Sequence, residues 1–329
     1  MKQVLEHLYS QQTLSRQEAG ELLGQIAEER FNEAEIASFL TVFRLRGITL
    51  DELAGFREAL HERCYRVDLS DFDPIDVCGT GGDGKDTFNI STLSAFVVAG
   101  AGVPVAKHGN YAVSSTCGSS NVLEALGYRF HNDEARLRQE LERSNICFLH
   151  APLFHPAMKA VGPVRRSLGV RTFFNMLGPL VNPAFPQKQL VGVFSLELQR
   201  FYQYLFQQSN SNYRIVHSLD GYDEISLTGP VKIIGPRQES IMNPEDFGFS
   251  RLSQESLYGG KDINEAVALF VNILEGKGSE AQQAAVTANS AMAISCARPD
   301  ISFEDSLAVA SESLESGKAK EALKKLIQS

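Results

Sequence analysis

The chain has 329 residues, 43% hydrophobic and 22% charged, and carries a formal net charge of −9. That length buries a large core and suits two domains, or one large domain with a satellite. The acidic balance argues against a nucleic-acid binder, which needs a basic face, and neither a secretory leader nor a membrane-spanning apolar run is expected. Read from the N-terminus, the first 70 or so residues show helix signals only. TLSRQEAGELLGQI opens with a capping box at Ser15 and Glu18, and TLDELAGFREAL opens with another at Thr49 and Glu52. Between them Leu40, Phe43 and Leu45 lie in a helix ended by Gly47. SDFDP (70–74) then breaks the pattern. Strands are predicted at 75–79, 103–107, 145–150, 190–194 and 213–219, alternating with helical stretches. That alternation predicts an α/β fold with a mainly parallel sheet flanked by helices. Residues 262–276 and 302–316 read as amphipathic helices. The expected division is a smaller all-helical N-terminal domain, 1–72, and an α/β domain, 73–329. Five scattered cysteines (Cys64, Cys78, Cys117, Cys147, Cys296) lack metal spacing and fit a reducing, cytoplasmic setting.

The most informative stretch is IDVCGTGGDGKDTFNIST, residues 75–92. A β-branched run leads into Gly79, Gly81, Gly82 and Gly84, and Asn89, Ser91 and Thr92 follow as helix-start residues. Glycines let backbone N–H groups approach an anion, and a helix N-terminus aimed at the same spot strengthens the cradle. Other glycine motifs fail on spacing. A P-loop needs Ser or Thr after its Lys, whereas Asp86 follows Lys85. A dinucleotide fingerprint wants an acidic residue at the end of the next strand, and Lys107 and His108 stand there instead. KHGN (107–110), running on to Ser114, Ser115, Ser119 and Ser120, reads either as a second anion loop or as an ordinary serine-capped connection. Loops after neighbouring parallel strands open on one crevice, so two such loops suit a substrate with two separated phosphate groups.

With SSNVLEALG, HPAMK, VRRSLGVRTFFNMLGPLVNP and DGYDEIS following in order, the chain resembles the anthranilate phosphoribosyltransferase family over essentially its whole length. The resemblance implies a nucleoside phosphorylase/phosphoribosyltransferase-like fold, with helices from about 165–185 joining the N-terminal domain in space. It implies transfer of the phosphoribosyl group of 5-phosphoribosyl-1-pyrophosphate (PRPP) to the amine of anthranilate, in tryptophan biosynthesis. Residue by residue, it assigns PRPP to Gly79, Thr80, Gly82, Asp83, Thr87, Asn89, Ile90, Ser91 and Thr92. To the same substrate it assigns Lys107, His108, Gly109, Asn110, Ser114, Ser115 and Ser119. Anthranilate falls to Gly79, Asn110, His155, Arg165 and Pro179. Ser91, Asp223 and Glu224 become ligands of Mg²⁺, expected as two ions, and the chain becomes a homodimer through its helical domain.

The residues alone leave blander readings open. Arg165 and Arg166 would be a solvated helix face, the DGYDE run a charged turn, and His155 a packing residue at a helix start. Asp223 and Glu224 must lie in a loop to share one site, because adjacent strand side chains point opposite ways. The sequence departs from the family where Tyr111 follows KHGN in place of a basic residue, and where Cys117 stands in STCGS. A pyrimidine nucleoside phosphorylase would show a lysine–serine pair in the second loop. A nucleic-acid-binding relative of the fold would show a basic surface and a degraded acidic pair. No nucleophile and no obligatory general base is assigned, since an aromatic amine is already neutral at pH 7.

Overall fold

The computed structural model describes residues 1–112, 117–209 and 211–328. Four helices come first: α1 (Lys2–Tyr9), α2 (Arg16–Ala27), α3 (Glu33–Arg46) and α4 (Leu50–Arg63). Both expected capping boxes form, Ser15 with Glu18 and Thr49 with Glu52, and Asn32 with Glu35 adds a third at α3. Gly47 ends α3 at φ +83°, a conformation that costs any side chain energy.

The chain then alternates. β1 (Ile75–Gly79) leads to α5 (Ile90–Gly100), β2 (Val105–Gly109) to α6 (Ser119–Ala125) and α7 (Glu134–Ser144), and β3 (Ile146–His150) to α8 (Ala151–Phe154), α9 (Pro156–Leu168) and α10 (Phe174–Leu177). β4 (Lys188–Gly192), α11 (Leu196–Phe206), β5 (Asn212–Ser218), β6 (Val231–Ile234) and β7 (Glu239–Met242) complete the sheet. Its order is β3-β2-β1-β4-β5-β6-β7. β1 to β5 pair in parallel, while β6 and β7 are antiparallel. The last two were missing from the sequence reading: VKII and ESIM are only four residues each, too short for a two-residue period to register.

Strand order reverses at β1, with β2 and β3 to one side and β4 and β5 to the other. In open parallel sheets ligands bind at such a reversal, outside the carboxyl ends of the strands. The loop after β1, with its four glycines, stands there.

One face of the sheet is covered by α5 and four C-terminal helices: α12 (Ile263–Leu274), α13 (Glu280–Ala297), α14 (Phe303–Glu315) and α15 (Lys318–Ile327). α13 escaped sequence reading because it is buried nearly all round and shows no apolar stripe. The opposite face continues into the helical bundle as one apolar cluster. Phe173, just before α10, stacks on Phe56 of α4 at 4.5 Å and meets Phe39 of α3 edge-on at 5.7 Å. Phe174, Leu177 and Leu180 are buried in the same cluster, so the 173–180 segment packs with the N-terminal helices. No helix among the described residues is long and apolar enough to cross a membrane.

Candidate active site

The carboxyl ends of β1 and β2 open on a cavity of about 220 Å³. Its lining includes Gly79, Thr80, Gly82, Asp83, Thr87, Asn89, Ile90, Ser91 and Thr92 from the first loop and α5. Lys107, His108, Gly109, Asn110 and Ser119 come from the second strand and its loop. Arg165, Pro179, Asp223 and Glu224 close it. Ser114 and Ser115 lie outside the described residues. His155 is not on the wall. It is buried behind His108, ring to ring at 5.3 Å, because its place ahead of Pro156 at the start of α9 turns it into the core.

Gly81 and Gly82 take φ of +63° and +76°, so the loop folds back over the strand end. Asn89 stands at the N-cap of α5 without capping it; its amide donates instead to the carbonyl of Cys117 at 3.1 Å, tying the two loops together. Asn121 Oδ1 accepts from the backbone N–H groups of Ala112 and Gly118, both at 3.0 Å, and so draws the ends of the second loop together.

The acidic pair lies in the loop after β5, where Gly221 turns at φ +101°. Asp223 Oδ2 accepts from the N–H of Gly81 at 2.6 Å, and Glu224 Oε1 from the N–H of Ser91 at 3.2 Å. Only glycine allows this approach: a β-carbon on Gly192 would fall 1.5 Å from the Asp223 carbonyl oxygen. Burial, then the charge of Asp83, pushes the Asp223 carboxyl well above its usual range. Burial also raises Glu224, to about 7, against the opposing pull of Lys107. Asp83 has a buried Oδ2 with no hydrogen-bond partner among the described residues. No group of three or more His, Cys, Asp or Glu able to hold a metal alone is found among the described residues. Two carboxylates with a hydroxyl nearby suit Mg²⁺, which keeps water and phosphate oxygens for its other positions.

Lys107 and His108 do not form one basic strand end. Both lie within β2, so their side chains take opposite faces. The Lys107 ammonium is buried and donates to the Val77 carbonyl at 2.6 Å. His108 bonds through Nδ1 to the Gly178 carbonyl at 2.9 Å, and burial drives its pKa well below the usual value, so it is neutral.

Arg165 is the mirror image of the acidic pair. It is 7% exposed, and among the described residues its Nε lacks a partner and its one side-chain bond is to the Asn175 amide oxygen at 3.3 Å. Burial lowers it to about 10, which still leaves it charged at neutral pH. The guanidinium lies 5.5 Å from the Phe174 ring centre. A buried cation with no acidic partner calls for an anion, and an aromatic wall beside it favours a flat one. Met158, Phe174 and Asn175 also line this end and were not singled out from the sequence, although two of them stand inside the quoted VRRSLGVRTFFNMLGPLVNP. Tyr111 also lines the cavity; its hydroxyl donates to Glu124 at 3.1 Å and its ring meets His150 edge-on at 4.8 Å.

A helical bundle on a parallel sheet, with polar loops over the strand-order reversal, is the build of a glycosyl transferase family. Its α/β-domain model matches residues 72–320, and its helical-bundle model matches residues 2–64. The anthranilate phosphoribosyltransferase of Flavobacterium johnsoniae is 58% identical, covering 99% of this chain and 98% of its own. That of Bacteroides fragilis is 52% identical over 100% and 99%. Among solved structures, the Thermus thermophilus enzyme of that name superposes with a TM-score of 0.88 at 34% identity, covering 98% of each chain. The Saccharomyces cerevisiae one, in complex with PRPP and Mg, superposes at 0.89 with 26% identity, covering 98% of this chain and 96% of that one. The chain belongs to the anthranilate phosphoribosyltransferase family.

Proposed function

We propose that this cavity carries the family's reaction, transfer of the phosphoribosyl group of PRPP to the amine of anthranilate with release of pyrophosphate, a step of tryptophan biosynthesis. One observation supports it above others: the same cavity holds a buried cation, Arg165, with no ion-pair partner among the described residues, and a buried acidic pair, Asp223 and Glu224. A carboxylate ligand satisfies the first and a metal-bound diphosphate the second. The Saccharomyces cerevisiae relative in complex with PRPP and Mg supports magnesium use here.

In this reading Arg165 orients anthranilate through its carboxylate, with Gly79, Asn110 and Pro179 around the ring, while His155 supports His108 from behind. The loops at 79–92 and 107–119 hold the phosphates by backbone N–H groups and hydroxyls. Ser91, Asp223 and Glu224 hold Mg²⁺, proposed as two ions, which neutralises charge on the departing pyrophosphate. The amine needs no base, so the protein's part is alignment and electrostatic support. Alignment is worth on the order of 7 kcal/mol in good geometry, and charge stabilisation several kcal/mol more. The partition into a helical unit (1–72, with 165–185) and an α/β unit (73–329) belongs to the same proposal, since the cavity draws Arg165 from one and the loops from the other. So does a homodimer through the helical unit, where Tyr9 and Leu45 stay 55% and 83% exposed. Unpaired cysteines support a cytoplasmic setting.

The test is loss of anthranilate fluorescence when protein, PRPP and Mg²⁺ are mixed, with EDTA as control. Loss that EDTA abolishes is expected; a flat trace from folded protein overturns the assignment.

A further inference from the structure

A chain of hydrogen bonds joins the two ends of the cavity through Arg171, a residue with no part in the substrate contacts proposed so far. At the phosphate end, Gly81 N–H donates to Asp223 at 2.6 Å. One residue on, the Gly82 carbonyl accepts a hydrogen bond from the Arg171 guanidinium. Arg171 belongs to the segment between α9 and α10, and its guanidinium lies 5.1 Å from the centre of the Phe194 ring. Beside it, Thr172 N–H donates to Asn175 Oδ1 at 3.1 Å, and the same oxygen accepts from Arg165 at 3.3 Å. The path therefore runs from the carboxylate-seeking arginine to the acidic pair with no covalent stretch longer than two residues.

The contact at Gly82 is intimate as well as polar. Gly82 sits at φ +76°, and a β-carbon there would fall 2.6 Å from Arg171 Cδ. The arginine stem occupies the space that any larger residue would need. Asp83, the next residue, has a buried Oδ2 with no hydrogen-bond partner among the described residues. A surface arginine that merely covers a loop carbonyl would not link two packed units. Arg171 does, because the segment it stands on packs with the helical bundle through Phe173.

We propose that Arg171 is a positioning residue that straps the phosphate loop to the segment carrying Arg165, so that filling either subsite favours the loop conformation the other needs. This rests on the substrate assignment above. By linkage, each ligand then tightens the other by one and the same factor.

The full chain is titrated with anthranilate by calorimetry, with and without saturating Mg²⁺-pyrophosphate, for the parent protein, Arg171→Met and Arg171→Lys. Methionine keeps an unbranched apolar stem and removes every donor; lysine keeps a charged donor group. In the parent, pyrophosphate tightens anthranilate binding about fivefold or more. In Arg171→Met the ratio falls to about one, while affinity for anthranilate alone stays within about twofold and the KM for PRPP rises about tenfold. Arg171→Lys recovers part of the ratio, and it carries the test if the methionine variant does not fold. A parental ratio of one, or a variant ratio equal to the parent's, overturns the strap. Failure of the parent to consume anthranilate with PRPP and Mg²⁺ overturns the substrate assignment instead, and that assay reads it separately.

Discussion

Arg165 is held charged in a setting that supplies one neutral hydrogen-bond partner, Asn175. Hydrogen bonds to charged groups are worth roughly 1.5–3 kcal/mol, so Arg165→Ala is expected to raise the anthranilate KM about ten- to hundredfold and the PRPP KM far less. Equal rises in steady-state assays would remove its assignment. Asp223→Asn takes a charge from the acidic pair, and the Mg²⁺ concentration giving half-maximal rate should rise, with activity partly recovered by excess metal. An unchanged metal titration would exclude Asp223 from the site. His155 offers a pH test. Burial depresses its folded-state pKa to about 4, below the unfolded value near 6.5, so the unfolded chain takes up a proton that the folded one refuses. Its contribution to stability is therefore intact above about 6.5 and is lost as pH falls towards 4. Relative to the parent, His155→Gln should gain about 1.4 kcal/mol per pH unit across that window. Urea melts at several pH values that stay parallel would contradict this.

Among the elements, α4 shows how much a single capping residue can do. Glu52 closes the box with Thr49, accepts from the Leu14 backbone at 2.9 Å, and pairs with Arg46 at 2.6 Å while fully buried. Removing one partner of a buried ion pair leaves the other uncompensated, so Glu52→Ala should cost about 3–5 kcal/mol in chemical denaturation. A loss below about 1 kcal/mol would mean that Arg46 finds water. Ser15 and Thr49 were legible because N-cap signatures are local. The first five strands were legible from β-branched runs between turn residues, though β2 runs two residues past the expected end. Lys107 and His108 looked like one basic pair and are not, because neighbours within a strand face opposite ways. Short antiparallel β6 and β7 and the all-round buried α13 carry no periodic signal. Of the cavity, the glycine loop could be read from local chemistry alone. Arg165 and the Asp223–Glu224 pair could not, because their distinguishing property is burial without an ion-pair partner among the described residues, which arises only when distant segments meet.

For the molecule as a whole, the strand-order reversal puts β1 between β2 and β4, so three separate stretches must be in place before the cavity exists. Ligands that bind only the assembled cavity stabilise it by mass action, about 2.7 kcal/mol at a hundred times the dissociation constant. Mg²⁺ with pyrophosphate should therefore raise the melting temperature more than the sum of each alone. Purely additive shifts would argue against a shared metal–diphosphate site. The stacking of Phe173 on Phe56 has a different consequence, for how the chain is made. During translation the first four helices leave the ribosome about a hundred residues before the aromatic rings that complete their core. Until then Phe39, Phe43 and Phe56 have no Phe173 to pack against, and a nascent chain in that state is a substrate for chaperones and proteases. An N-terminal fragment ending at residue 72 should accordingly be protease-sensitive, whatever the quality of its helix caps.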